Sequence, residues 1–151
     1  MPQNNDPDEL WAMRNQYYVG NFDGVLTEAT SARLDDHETA LLAEREFFIR
    51  LANLGKGLPI SPSPYKELEF KGLIHFAALM NAELPEPSHL IALKKMVDED
   101  GTGNVRLRVI AGLAFSKFSD DPNDALRILH SCSNSLEALH ITCSNHLPLS
   151  K

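Results

Sequence analysis

The chain has 151 residues, 43% of them apolar, and a net charge of −7. That apolar share over that length supplies a core and excludes a disordered chain. The acidic balance argues against nucleic acid and anionic membrane surfaces as partners, because both reward clustered Lys and Arg.

The opening, Met1 to Asp6, has neither a charged leader nor an apolar run, so no signal peptide is expected. The longest apolar run, Leu73 to Met80 interrupted by His75, is far shorter than the ~20 residues of a membrane span. The 2 cysteines, in a chain with no export signal, read as reduced thiols. The class expected is a soluble intracellular all-helical protein.

In chain order, Asp6-Pro7-Asp8-Glu9 reads as a helix N-cap, a proline at N1 and a Glu able to reach back to the cap. Leu10, Met13, Tyr17 and Tyr18 share one face of a first helix that runs to about Val19. Gly20-Asn21 suits a left-handed cap and an immediate turn. Phe22, Val25, Leu26 and Ala29 form the stripe of a second helix, over about 22–33. A third starts near His37 and presents Leu41, Leu42, Arg45, Phe48, Ile49 and Ala52. Pro59, Pro62 and Pro64 forbid a normal helix between Leu58 and Pro64. Ser63-Pro64 then opens a long helix to about Ala82, whose apolar set Leu68, Leu73, Phe76, Ala77 and Met80 suggests burial on two sides.

Pro87-Ser88 precedes a shorter helix to about Val97, and 98–104 is a loop. Leu107, Ile110, Ala111, Ala114, Phe115 and Phe118 give the cleanest helical stripe. Asp121-Pro122 restarts the chain with an acidic cap and an N1 proline, and Ala125, Leu129 and Cys132 face the core. Leu136, Leu139 and Cys143 hint at one more helix before Pro148.

Helix, tight glycine turn, helix, with Gly20-Asn21-Phe22-Asp23 at the joint, is the core pattern of a tetratricopeptide repeat (TPR). The small-residue position of the second helix recurs at Val25, Ala92 and Ala125, roughly two periods and one period of a ~34-residue repeat apart. The matching turn of a second repeat is expected near Gly55. The fold predicted is all-α, a right-handed solenoid of TPR-like repeats in a single domain. Repeats are placed at about 7–33, 37–60, 64–97 and 104–132, with a partial one at 135–145, and the prolines at 59–64 form a bend.

Three stretches carry a family resemblance. They are Asp8 through Trp11 with Tyr17 through Phe22, then Ala43 through Ala52, then Asp121 through His130 followed by Ser135-Leu136-Glu137-Ala138. From about residue 8 to 142 the chain resembles the coatomer epsilon subunit family, and in particular its N-terminal half. The resemblance implies a curved TPR solenoid that holds the C-terminal region of the alpha-type coatomer subunit. It implies a scaffold in Golgi-to-ER and intra-Golgi vesicle transport, with no catalytic activity, metal or cofactor. It also implies a cytoplasmic protein, peripheral on Golgi membranes and coated vesicles only through the coat. As half of such a solenoid, the chain is expected to leave the apolar strip at Ala125, Leu129, Cys132, Leu136 and Leu139 without a covering repeat. The competing reading is a generic TPR adaptor for a short peptide such as a chaperone tail. Carboxylate-clamp adaptors need several cations on the concave face, and the first helices here have few.

Concave-face register places Arg14, Tyr17 and Tyr18 toward a partner groove, with Lys117 and Phe118 in the matching position; core packing is the alternative for Tyr17 and Phe118. Two sets look like metal sites. Asp98 to Asn104 has the acids and glycine of an EF-hand loop, but Val109 stands where the bidentate Glu belongs and Arg106 sits at position 9. His130, Cys132, His140, Cys143 and His146 lack the two tight ligand pairs of a zinc site. No nucleophile elbow, H-E-x-x-H or phosphate loop occurs, so no enzyme activity is expected.

Overall fold

The computed structural model describes residues 8–130. Among them are seven helices and no strand, in agreement with the all-α reading: α1 (Trp11–Tyr18), α2 (Phe22–Ser31), α3 (Thr39–Gly55), α4 (Leu68–Asn81), α5 (Pro87–Glu99), α6 (Val105–Phe118) and α7 (Pro122–His130). The chain divides into two compact units, the first ending at Ile60 and the second beginning at Ser61. The helix expected near 135–145 and the face of Cys132 lie outside the described residues.

In the first unit α2 packs on α1 and α3, and α1 also meets α3. The α1–α2 joint follows the expected chemistry. Gly20 takes φ +81°, which only glycine adopts freely. Its N–H donates to the Tyr17 carbonyl at 3.0 Å, and the Asn21 N–H reaches back to Gln16 at 2.9 Å. These two bonds close α1 as a Schellman cap. Asn21 then opens α2 by accepting the Gly24 N–H at 3.0 Å.

One boundary differs from expectation, and another falls at the far end of the turn expected near Gly55. Helix α1 begins at Trp11 rather than at an Asp6 cap, because Asp8 turns its carboxylate onto the Leu10 N–H at 2.9 Å. Helix α3 runs through Gly55, and the closing turn is at Gly57, with φ +79°. Gly55 serves another purpose: a Cβ there would stand 2.5 Å from the ring of Phe22, so the glycine lets α2 approach α3.

The second unit stacks α4 on α5 and α6, α5 on α6, and α6 on α7. The proline stretch is non-helical as expected, but α4 starts at Leu68, four residues past Pro64. Ser63 there accepts the N–H of Tyr65, and this local turn holds the chain out of the helix. Helix α4 buries Leu73, Phe76 and Ala77 of its expected apolar set, together with Phe70 and Leu79, which that set left out, whereas Leu68 and Met80 are only half-buried and Ile74 stays 65% exposed. Leu93, Leu107 and Ile110 are fully buried at the centre, each burial contributing ~1.5–3 kcal/mol. Glycine again sets the helix spacing. A Cβ on Gly72 would meet Leu107 at 3.0 Å, and one on Gly112 would meet Leu129 at 2.6 Å. Asp121 caps α7 by accepting the Asn123 N–H at 2.9 Å.

Candidate partner-binding surface

The five residues proposed from register divide between the units. Arg14, Tyr17 and Tyr18 belong to the first, and Lys117 and Phe118 to the second.

Tyr17 lies inside an aromatic cluster. Its ring meets Tyr18 at 5.7 Å, Phe22 at 5.9 Å and Phe48 at 5.5 Å between centroids. Burial pushes its phenol well above the usual range, so Tyr17 acts here as a neutral ring. Tyr18 meets Phe48 edge-on at 6.3 Å. Arg14 is held by two acids. One Nη donates to Glu44 at 2.6 Å and the other to both Asp8 oxygens at 2.7 Å. Burial works against its charge, and the hydrogen bonds to Asp8 and Glu44 outweigh that and raise its pKa. Burial also works against charge on Asp8, yet Arg14 and the Leu10 N–H hold its carboxyl below the usual range. The arrangement ties the start of α1 to α3.

Lys117 and Phe118 stand on the wall of an open groove. This groove holds about 460 Å³ between the α4–α5 turn and the end of α6, with Leu79, Pro85, Pro87, Leu90 and Asp120 around it. A second groove of about 500 Å³ shares Pro87 and Leu90 and continues along α5 past Ile91 and Lys95 to Phe115. Its lining is mostly apolar, and Ile91 is 68% exposed. Lys94 and Lys95 on its rim pair with Asp98 and Glu99, one helical turn on, at 3.5 and 3.9 Å. The cations therefore carry matched acids, unlike a carboxylate clamp.

Register reasoning missed Pro87, Leu90 and Ile91. The signal was present: Leu90-Ile91-Ala92-Leu93 is more apolar than one buried stripe requires, and only Leu93 is buried outright.

The loop after α5 has its own fully used carboxylate. Asp100 accepts from the Thr102 hydroxyl at 2.6 Å, the Asn104 N–H at 2.7 Å and Arg108 at 2.7 Å. The Thr102 hydrogen bond, then Arg108 and the Asn104 amide, hold Asp100 far below the usual carboxylate range. Val109, at the place of the missing bidentate Glu, is a buried core residue. The geometry makes this loop the N-terminal brace of α6, where Asn104 caps the helix by accepting the Leu107 N–H at 3.0 Å. Among the described residues no three His, Cys, Asp or Glu side chains gather around a common point. Of the sulfur and imidazole set, all but His130 lie outside the described residues, and His130 is exposed on α7.

Packed helices with an open, mostly apolar groove define the described residues as an all-helical protein. The family model for the coatomer epsilon subunit matches residues 6–151, and the chain belongs to that family. It is, by that membership, a coatomer subunit. No curated protein and no solved structure matches it. No described helix is long and apolar enough to cross a membrane.

Proposed function

We propose that the chain is a non-enzymatic scaffold subunit of the coatomer vesicle coat that holds the alpha-type subunit during Golgi-to-ER and intra-Golgi transport. Its helix pairs then act as TPR-like repeats of one chain, with the 59–64 stretch as a bend. The protein works in the cytoplasm and reaches Golgi membranes and vesicles only through the coat. The observation that supports this best is family membership over nearly the whole chain, joined to two adjoining open grooves along α5 and α6, of which the one past Ile91 is mostly apolar. In this reading Lys117 and Phe118 contact the partner, while Arg14, Tyr17 and Tyr18 shape the first unit from within.

The test is titration calorimetry of the full chain against the C-terminal region of an alpha-type coatomer subunit. Ile91→Asp is expected to weaken binding by at least about tenfold, equivalent to 1.4 kcal/mol, with the helix content unchanged. Equal affinity of wild type and of an Ile91→Asp, Phe118→Ala double variant would remove the groove from the interface. No binding by the wild type would end the alpha-type assignment.

A further inference from the structure

Between α3 and α4 the chain carries Ser61-Pro62-Ser63-Pro64-Tyr65-Lys66. These are the only two places in the whole sequence where a serine or threonine precedes proline. Both fall in the non-helical stretch where one compact unit ends and the next begins. We propose that Ser63 is a phosphorylation site for a proline-directed serine/threonine kinase that also selects a basic residue three places on.

Four observations carry this. First, the backbone suits a kinase groove, which takes its substrate extended. Prolines at 62 and 64 fix their own φ and push Ser61 and Ser63 into extended or polyproline conformation, and no helix or strand forms here. Second, Pro64 has no N–H to donate, so it excludes kinases that require that donor directly after the serine. Third, Lys66 stands three residues past Ser63, a span of ~9 Å once the segment lies extended in a kinase groove, and its side chain is exposed. Fourth, Ser63 Oγ accepts the Tyr65 N–H at 3.0 Å, so this bond leaves the hydroxyl proton uncommitted. The ring of Tyr65 stacks on Phe70 of α4 at 5.1 Å, which anchors the segment just beyond the site. Ser61 shares the proline but has Pro64 where the base would stand, so Ser63 is the better substrate.

The transfer uses ATP with its magnesium as co-reactant. Ser63 Oγ forms a bond to the γ-phosphorus, the bond from that phosphorus to the bridging oxygen breaks, and ADP leaves. The hydroxyl proton passes to the kinase's catalytic carboxylate. The product adds about −1.5 to −2 charges at pH 7. Its oxygens replace Oγ as acceptors for the Tyr65 N–H.

The full chain is incubated with MgATP and a proline-directed kinase that reads a base at the third place, and in parallel with one that reads proline alone. Tandem mass spectrometry is expected to map one phosphate to Ser63 with either enzyme. Ser63→Ala and Pro64→Ala each lower incorporation by at least about tenfold with both. Lys66→Ala lowers it about tenfold with the base-reading kinase only, a difference of 1.4 kcal/mol in transition-state binding. Circular dichroism of the variants reports that the helices remain. Incorporation that survives Ser63→Ala, or that sits on Ser61, overturns the assignment. So does a chain that takes up phosphate only after unfolding in urea and dilution onto the kinase.

Discussion

The two compact units are both built of packed helices, but their cores use different chemistry. The first combines an aromatic cluster with buried aliphatics: Tyr17, Tyr18, Phe22, Phe47 and Phe48 meet at 5.5–6.3 Å between ring centroids, and Leu10, Met13, Leu51 and Leu54 are buried. The second centres on Leu73, Leu93, Leu107 and Ile110, with Gly72 and Gly112 drawing helices together. Rings concentrate stabilisation in a few large side chains, so the first unit is most sensitive to truncation. Helices held close over glycine leave no space to grow, so the second is most sensitive to enlargement. Even the short joints differ. Val19-Gly20-Asn21 uses a left-handed glycine, whereas Ser119-Asp120-Asp121 has none and turns with the Ser119 and Asp121 side-chain oxygens accepting nearby amides.

The largest expected effect tests the aromatic side. Phe48→Ala removes a ring that is 2% exposed and is expected to cost ~3–5 kcal/mol. Hydrogen exchange should then show α1–α3 amides losing protection while the buried amides of α6 keep theirs. Equal loss in α6 would mean that the units unfold as one and that the contrast has no thermodynamic content.

Gly112→Ala comes next. Alanine gains ~1 kcal/mol of helix propensity, but the new methyl meets Leu129 at 2.6 Å, and overpacking of ~1–3 kcal/mol is expected to prevail in urea melts. Leu129→Ala in the same chain should relieve the clash, so the double variant loses less than the sum of the two. A stabilised Gly112→Ala would show that α7 shifts freely and that close packing is not the second unit's constraint.

Acid should separate the units further. His75 and His89 place their Nδ1 atoms 3.1 Å apart between α4 and α5. Burial, then the neighbouring His89, lower the His75 pKa from 6.5. The unfolded chain therefore takes this proton first, so the second unit loses stability as pH falls through about 6.5. His75→Gln is expected to flatten that part of the pH profile. Asp8 and Asp100, both shifted down from 3.8, contribute stability above about pH 4 and lose it below, one carboxylate in each unit. A profile from pH 7 to 5.5 that is the same with Gln at position 75 would remove the histidine pair from the account.

The smallest effect is the control. Lys95→Ala breaks a 3.9 Å exposed pair with Glu99 and should change the midpoint by less than ~0.5 kcal/mol. A larger loss would mean that the α5 rim carries structural load.

Much of this fold was legible because helix pairs are local. The 3.6-residue stripes at Leu10–Tyr18 and Leu107–Phe115, the glycine at 20, the prolines at 59–64 and the Asp121-Pro122 restart each act within a turn or two of chain. The family resemblance was legible for the same reason, since it rests on the order and spacing of such local units. The errors were local competitions too. Ser63 and Asp8 spent side-chain oxygens on nearby amides and delayed α4 and α1.

The candidate surface was less legible. Concave-face register could name Tyr17 but not tell whether a ring at that place meets a partner or Phe48, because both uses need the same apolar residue. Only tertiary packing shows that Tyr17 meets Phe48 and that Arg14 pairs with Glu44 and Asp8. The same packing left Ile91, two residues from buried Leu93 in sequence, facing solvent beside a groove. By itself the sequence determined which of the described segments are helices, most of their ends to within a few residues, and that the Asp98–Asn104 loop lacks its bidentate acid. Those follow from backbone propensity and side chains a few residues apart. Which faces meet, how closely glycine lets them approach, and where a cleft remains open depend on residues tens of positions apart, and only the folded chain sets those distances.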